Sequence, residues 1–470
     1  MKAADRFWSK TMKLTDVINY EKAVSYCLEI PRFTKKNSTE MTKAFYEYLG
    51  KPGSASKIVH VAGTNGKGSV CAFLQSICMQ MNVKVGMFTS PHLCDIRERI
   101  RIGGEWIEKE TFLDGFLQLA EKLQHFSAEN EAQKEYHPSF FEWLFFIGMI
   151  CFEKERPDVI LLETGLGGRL DATNCIETPA LSVITKIGFD HMEYLGETIE
   201  AIAGEKAGII KTGVPVVYLL DKKEADEVIV KKAKTLCSPG VFVSKDEVDS
   251  IFFHDKRIDF SYKSRYYGYV RFSVGTSAFY QVENAILAVN AAEELFLNSH
   301  TTKSALGKQE KKGLQNEDFG VEVLQKGIAA MQWEGRMEEV LPGVFLDGAH
   351  NEDGIDAFLD SVGRDGCQGN RSLLFSAVSD KQYAKMAGKI TDSGLFSKIY
   401  TAPIDSARGV GTKELEQIFE GTVHVTHVGS PQEALQEMLK DRGADDYLYV
   451  AGSLYLIGQL KEWLKGNLQR

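Results

Sequence analysis

IVHVAGTNGKGS, residues 58–69, decides how this chain is read. Ile58, Val59, Val61 and Ala62 form a mostly apolar run, the pattern of a buried parallel strand. Gly63, Gly66 and Gly68 follow in a tight turn, and Ser69 opens VCAFLQSICMQM, apolar at helical spacing. Strand, glycine loop and helix in this order make a phosphate cradle. Glycines let the backbone fold round oxygens, so that N–H groups and the helix N-terminus face negative charge. Lys67 adds a point charge. The spacing is G-x-x-G-K-G-S, not the commoner G-x-x-x-x-G-K-[ST]. The other reading, a glycine turn with an exposed lysine, fits the strand before and the helix after less well.

Moving outward, VILLETGLGGRLDATN, residues 159–174, is a second buried strand. It ends in a carboxylate, Glu163, at the sheet edge where open α/β sheets bind ligands. A carboxylate beside a triphosphate is a magnesium ligand in the Walker-B sense. Gly165, Gly167 and Gly168 then permit close backbone approach. Residues 83–88 form another buried strand leading to Thr89-Ser90-Pro91-His92, and the Ser90 hydroxyl can ligate a hard cation. His191, in IGFDHMEYLG, is read as ending the next strand in the same way. Lys206 lies within a predicted helix, where spacing alone makes it a solvated lysine.

The 470 residues are 44% apolar and 26% charged, ordinary values for a globular protein of two or three domains. A net charge of −10 without a long basic stretch argues against nucleic acid as a partner. Eight scattered cysteines without a C-x-x-C pair read as buried free thiols in a reducing compartment. FFEWLFFIGMICF, residues 140–152, is strongly apolar, but it contains Glu142 and is too short to span a bilayer, so it reads as a buried helix. The N-terminus has no apolar signal region. A cytoplasmic protein without a membrane association is expected.

The segments before residue 50 read as helices broken near Pro31. Residues 100–107 read as a hairpin, 110–125 as a helix and 127–137 as a polar insertion. Strands at 181–186 and 214–219 with a helix at 199–210 continue an alternating α/β pattern, which implies a parallel sheet covered on both faces. Residues 262–274 resemble an antiparallel appendage, and the polar stretch 298–319 a mobile surface insertion. A second α/β pattern begins near Gly335, with strands at 344–347, 373–378 and 398–402, and one at 447–451 that closes it. The chain therefore divides into 1–334 and 335–470.

GTNGKGS, TSPHL, ERIRIGG, LETGLGGRLDATN, DH, EKAGI, WEGR, DGAHN and GSLYL occur in this order over nearly the whole chain. Together they resemble folylpolyglutamate synthase, often also dihydrofolate synthase in bacteria, within the Mur ligase superfamily. The resemblance implies an α/β fold. A P-loop domain like the central domain of Mur ligases, with a mostly parallel sheet, is followed by a smaller Rossmann-like α/β domain, with ATP in the cleft between them. It implies an ATP-dependent ligase that adds L-glutamate to a folate through an acyl phosphate, with dihydropteroate as a second acceptor, acting as a monomer.

By motif, the resemblance assigns Thr64, Asn65, Gly66, Lys67, Gly68 and Ser69 to the phosphates and Asn284 to ATP. Arg336 and Asp347 go to the phosphates and nucleoside. Ser90, Glu163 and His191 become magnesium ligands. Lys206 matches a lysine that is carbamylated in relatives and serves a second magnesium, and His350 faces the cleft. Lys67, Lys206 and His350 form the catalytic set. The pterin-bearing substrate is placed at Ser139, Phe140, Phe141, Glu142, Leu170, Asp171 and Ala172. Three departures from the family pattern stand out: Glu334 in place of a proline, Asp380-Lys381-Gln382 in place of Asp-Lys-Asp, and TKKNST at 34–39 in place of a Gly-Leu in the pterin loop. The last bears on dihydropteroate, not on the ligase fold. Three rival readings are a P-loop kinase or NTPase, opposed by the second α/β domain, another Mur-type amide ligase, and a non-catalytic nucleotide-binding protein, opposed by the presence of Lys67, Glu163, His191 and Arg336 together. A cell-wall ligase would need a further UDP-binding domain ahead of the strand.

Overall fold

The computed structural model describes residues 14, 17–30, 37–129, 136–254, 256–298, 319–421 and 424–468. Residues 34–36 of the TKKNST stretch, 130–135 of the first polar insertion and 299–318 of the second lie outside them.

Eight strands build the first sheet: β1 Lys57–Ala62, β2 Val85–Phe88, β3 Ile100–Ile102, β4 Glu105–Trp106, β5 Val159–Glu163, β6 Leu181–Ile184, β7 Val216–Leu219 and β8 Gly240–Val243. Their spatial order is β4-β3-β2-β5-β1-β6-β7-β8. The six from β2 to β8 run parallel, and the β3–β4 hairpin closes one edge antiparallel. β1 is central, with Val61 paired to Glu163 on one side and to Val183 on the other. Its burial on both faces follows from its apolar run, and it places the glycine loop in the middle of the strands' carboxyl edge.

The helix Phe140–Glu155 is buried as its sequence implies. Trp143, Phe145 and Phe146 are fully enclosed, and each such ring contributes roughly 2–3 kcal/mol by leaving water. No helix among the described residues is long and apolar enough to cross a membrane. All eight cysteines are free; most are buried, while Cys237 is exposed.

β9 Val248–His254, β10 Arg257–Ser264 and β11 Gly268–Val274 form an antiparallel sheet. It begins earlier than the sequence suggests and is no appendage. Phe260, Tyr262 and Phe272 from its inner face share one core with Phe73 and Leu74 of the helix that follows the glycine loop. The third sheet comprises β12 Glu338–Leu341, β13 Val344–Leu346, β14 Arg371–Phe375, β15 Lys398–Thr401, β16 Val425–His427 and β17 Tyr447–Ala451, in the order β12-β13-β17-β14-β15-β16. β17, read from the sequence as closing this sheet, lies in its middle. Its residues from Leu448 to Ala451 are all buried, the mark of a central strand.

Candidate active site

The helix after the glycine loop starts at Lys67, two residues earlier than its apolar pattern suggests. Its N-cap is Gly66 at φ 91°, a left-handed conformation that favours glycine, and the Asn284 side-chain oxygen fills the space a Cβ would take. The Lys67 ammonium curls back onto the loop carbonyls of Gly63 and Thr64, both at 3.2 Å, and lies 3.9 Å from Glu163 Oε1. Ser69 is buried, and its Oγ accepts from Gln281 Nε2 at 3.1 Å. Gln281 Oε1 in turn accepts from Asn284 Nδ2 at 2.8 Å. The loop, its helix and the helix Gln281–Leu297 are thereby fixed to one another.

At the same edge, Ser90 N–H donates to Glu163 Oε2 at 2.9 Å. Burial pushes the Glu163 carboxyl up, against the opposing charge of Lys67 and the Ser90 hydrogen bond. His191 does not end β6. It stands seven positions beyond Ile184, at φ 49°, as the N-cap of the short helix Met192–Leu195. Its neighbour Asp190 is largely shielded from solvent. Burial alone would raise that carboxyl, but Lys381, His350 and His191 outweigh it and hold it well below the usual range. His191 Nε2 lies 3.8 Å from Asp190 Oδ2, and burial, only partly opposed by Asp190, lowers its pKa to about 4.

No three His, Cys, Asp or Glu side chains among the described residues gather into a metal cage. Magnesium fits such a place, since it binds through one or two carboxylates and keeps waters and substrate phosphates as its other ligands. The Ser90–Glu163 pair beside Lys67 supplies hard oxygen donors of that kind.

Lys206 is not a solvated lysine. It ends the helix Ile199–Lys206, is 3% exposed, and donates from Nζ to the Gly63 carbonyl at 2.8 Å. Burial, with the nearby Lys67 charge, lowers its pKa to about 7. The glycines at 165–168 do permit close approach, but to this protein's own chain. A Cβ at Gly168 would meet the Glu205 carbonyl at 2.8 Å.

The second half of the chain closes the other side. Asp347 is fully engaged: Oδ2 accepts from Tyr280 OH at 2.6 Å and Met337 N at 2.9 Å, and Oδ1 from Ala349 N at 2.8 Å. It braces the Arg336 turn against the DGAHN segment. Arg336 Nη1 donates to the Gly335 carbonyl at 2.8 Å. His350 Nδ1 donates to the Gly348 carbonyl at 2.7 Å, its Nε2 lies 3.8 Å from Asp190 Oδ2, and burial with the Lys381 charge lowers its pKa to about 4. Glu334, one of the departures noted in the sequence, pairs with the buried Lys461 at 2.7 Å.

Contacts that the sequence did not signal join the two halves. Asn65 and Asn351 exchange side-chain amide hydrogen bonds at 3.0 and 3.1 Å. Lys381 pairs with Asp190 and lies 3.2 Å from His191 Nε2. Asp353 accepts from Lys222 at 2.8 Å. Asp190 was within the quoted DH motif; nothing in the sequence links it to Lys381, nearly two hundred positions away.

On the acceptor side, Ser139 and Glu142 form a capping box, with Ser139 N–H donating to Glu142 Oε2 at 2.8 Å. Glu142 also accepts from Asn37 at 2.8 Å and Thr42 at 2.6 Å. Its carboxylate thus anchors this wall. Arg99 lies over the Phe140 ring at 5.3 Å. Leu170 is exposed and Asp171 buried. Every residue the sequence nominated for phosphates, metal, cleft or acceptor lines one cavity of about 860 Å³. Asp190, Lys381, Arg99 and Tyr280 line it too.

Two family descriptions match the chain: the Mur ligase middle domain over residues 149–292 and the Mur ligase glutamate ligase domain over 335–454. A Bacillus subtilis protein named dihydrofolate synthase/folylpolyglutamate synthase is 33% identical over 456 residues, spanning 95% of this chain and 99% of that protein. The folylpolyglutamate synthase of Lacticaseibacillus casei is 30% identical over 457 residues, spanning 96% of this chain and all of its own. Among solved structures, an FPGS–AMPPCP complex superposes with a TM-score of 0.78 at 27% identity, covering 96% of this chain and 100% of that one.

Proposed function

Since the chain belongs to the dihydrofolate synthase/folylpolyglutamate synthase family, ATP-dependent ligases that add glutamate to folates, we propose a division of labour within its cavity. The observation that carries it is the convergence of Lys67, Glu163 and Lys206 from the first sheet's edge with Arg336 and His350 from the second half on that one space.

ATP lies with its phosphates along residues 64–69, where the helix N-terminus and Lys67 face negative charge. Ser90 and Glu163, with His191 beyond them, would hold magnesium, which neutralises charge on the phosphates when bound. A folate lies against Phe140, Phe141, Leu170 and Ala172, its side-chain carboxylate turned toward the γ-phosphate. A carboxylate oxygen attacks that phosphorus, the bond to the ADP oxygen breaks, and an acyl phosphate forms. The glutamate amine then attacks the acyl carbon, loses a proton, and expels phosphate to leave an amide. Lys67 and Arg336 meet the charge that develops during transfer. The walls exclude water from the acyl phosphate.

Lys206, buried with a pKa lowered to about 7, holds a large fraction of neutral amine near neutral pH, the form that combines with carbon dioxide. We read it as the carbamylated lysine of a second magnesium position. Dihydropteroate is a second acceptor in this reading, favoured by the dual name of the Bacillus relative. All these groups belong to one chain, which supports a monomeric enzyme, and the free thiols support a reducing compartment such as the cytoplasm.

The test is a phosphate-release assay with ATP, L-glutamate and either tetrahydrofolate or dihydropteroate, with the products identified. Amide plus ADP, dependent on all three substrates, supports the reading. A phosphorylated acceptor formed without glutamate would make the protein a kinase.

A further inference from the structure

His60 lies on the strand that delivers the phosphate loop, three positions before Gly63, yet it does not line the cavity. It is completely buried in β1, and among the described residues its side chain makes one hydrogen bond, between Nε2 and Thr173 Oγ1 at 2.8 Å. Thr173 Oγ1 is itself 2.6 Å from Asp171 Oδ1. An ionised carboxylate only accepts, so the hydroxyl proton goes to Asp171, and Thr173 must accept from His60. That fixes the imidazole as the Nε2–H tautomer. His60 Nδ1 is then a bare acceptor, and it is buried with no partner among the described residues. A buried group left half satisfied is retained at a cost unless its other half has work to do.

The far end of this relay is the acceptor wall. Asp171 Oδ1 also takes the Thr173 N–H at 3.1 Å, and Oδ2 takes the Leu166 N–H at 2.8 Å. One carboxylate thereby draws both ends of the 166–173 loop together, and this loop presents Leu170, Asp171 and Ala172 to the cavity. The histidine donor occupies a lone pair of Thr173 Oγ1, which aims the hydroxyl proton at Asp171 Oδ1; without that donor this orientation is less strictly held. We propose that His60 is a positioning residue for the acceptor. Acting through Thr173, it sets the orientation of Asp171 and the shape of the folate-side wall, although it sits on the strand of the nucleotide site. This role rests on the functional reading given above.

The experiment compares Thr173→Val, Thr173→Ser, His60→Leu and the His60→Leu/Thr173→Val double variant. Calorimetry gives the affinities for tetrahydrofolate and, separately, for a non-hydrolysable ATP analogue. Loss of the relay predicts folate affinity weakened about tenfold in Thr173→Val and weakened in the same direction in His60→Leu, with ATP-analogue affinity within about twofold in both. Thr173→Ser keeps the hydroxyl and binds folate as wild type does. The double variant is no worse than the more affected single variant, because both changes cut one relay. Unchanged folate affinity in His60→Leu or in Thr173→Val, or equal losses for both ligands, overturns the proposal and leaves His60 a core residue. A wild-type protein that binds the ATP analogue but no folate would instead overturn the functional reading, and this role with it.

Discussion

The Lys381 ammonium sits against Asp190, pairing a side chain of the third sheet's domain with one from the loop after β6. It also lies 3.2 Å from His191 Nε2. Both side chains are largely shielded from solvent, at 7% and 10% exposed, so the contact holds the two halves together where the reaction is placed. Lys381→Met leaves Asp190 without its main counter-charge. Truncating one partner of a buried pair costs about 2–5 kcal/mol, so turnover should fall at least tenfold or so. Small-angle scattering in the presence of ATP should find a more open molecule. Wild-type turnover and an unchanged radius would make the pair incidental.

Lys206→Ala removes the buried amine that donates to Gly63. The account predicts loss of ligase activity, with partial recovery on adding a short carboxylic acid small enough to occupy the space of a carbamate. A fully active alanine variant would reduce Lys206 to a structural hydrogen-bond donor.

Glu163→Gln is nearly isosteric and keeps an oxygen to accept the Ser90 N–H. Turnover should drop by on the order of a hundredfold or more, because the lost charge acts on the phosphoryl-transfer site. The thermal midpoint should stay close to wild type. Near-normal turnover would remove Glu163 from the magnesium assignment.

Acid should destabilise the protein through histidines whose surroundings disfavour the charged ring. Burial lowers His60 to about 3, and His191 and His350 to about 4, from an ordinary 6.5. Between those values the unfolded chain binds protons that the folded chain refuses. Their contribution is therefore complete above pH 6.5 and shrinks as the pH falls toward 4. His60→Gln removes one of the three. The stability gap between wild type and variant, read from urea midpoints, should narrow by up to about 1.4 kcal/mol per pH unit below 6.5. A gap independent of pH would contradict the buried neutral imidazole.

Much of this was legible in the sequence because it is local. The glycine loop announces itself through residues that must adopt special backbone angles, and Gly66 does so. Glu163 could be placed because a buried strand that ends in a carboxylate puts it at the sheet edge. What failed was non-local. Nothing about Lys206 in its own helix signals burial; its environment comes from Gly63 and Lys67, far away in the chain. His191 is read from the sequence at the end of β6 but stands seven positions beyond it, because the loop after β6 is longer than the sequence suggests. The central position of β17 depends on crossovers that periodicity does not encode. The pairing of Lys381 with Asp190, and of Asn65 with Asn351, exists only once the two halves meet.

The most direct test of the central claim follows an oxygen atom. If a folate carboxylate attacks the γ-phosphate and glutamate then displaces phosphate, one carboxylate oxygen leaves with the phosphate. Tetrahydrofolate carrying heavy oxygen in its glutamyl carboxylate should be incubated with the protein, ATP and L-glutamate, and the released phosphate weighed by mass spectrometry. The account predicts one heavy oxygen in each phosphate released and a new amide in equal amount. Phosphate without the label, or labelled phosphate with no amide formed, would contradict it.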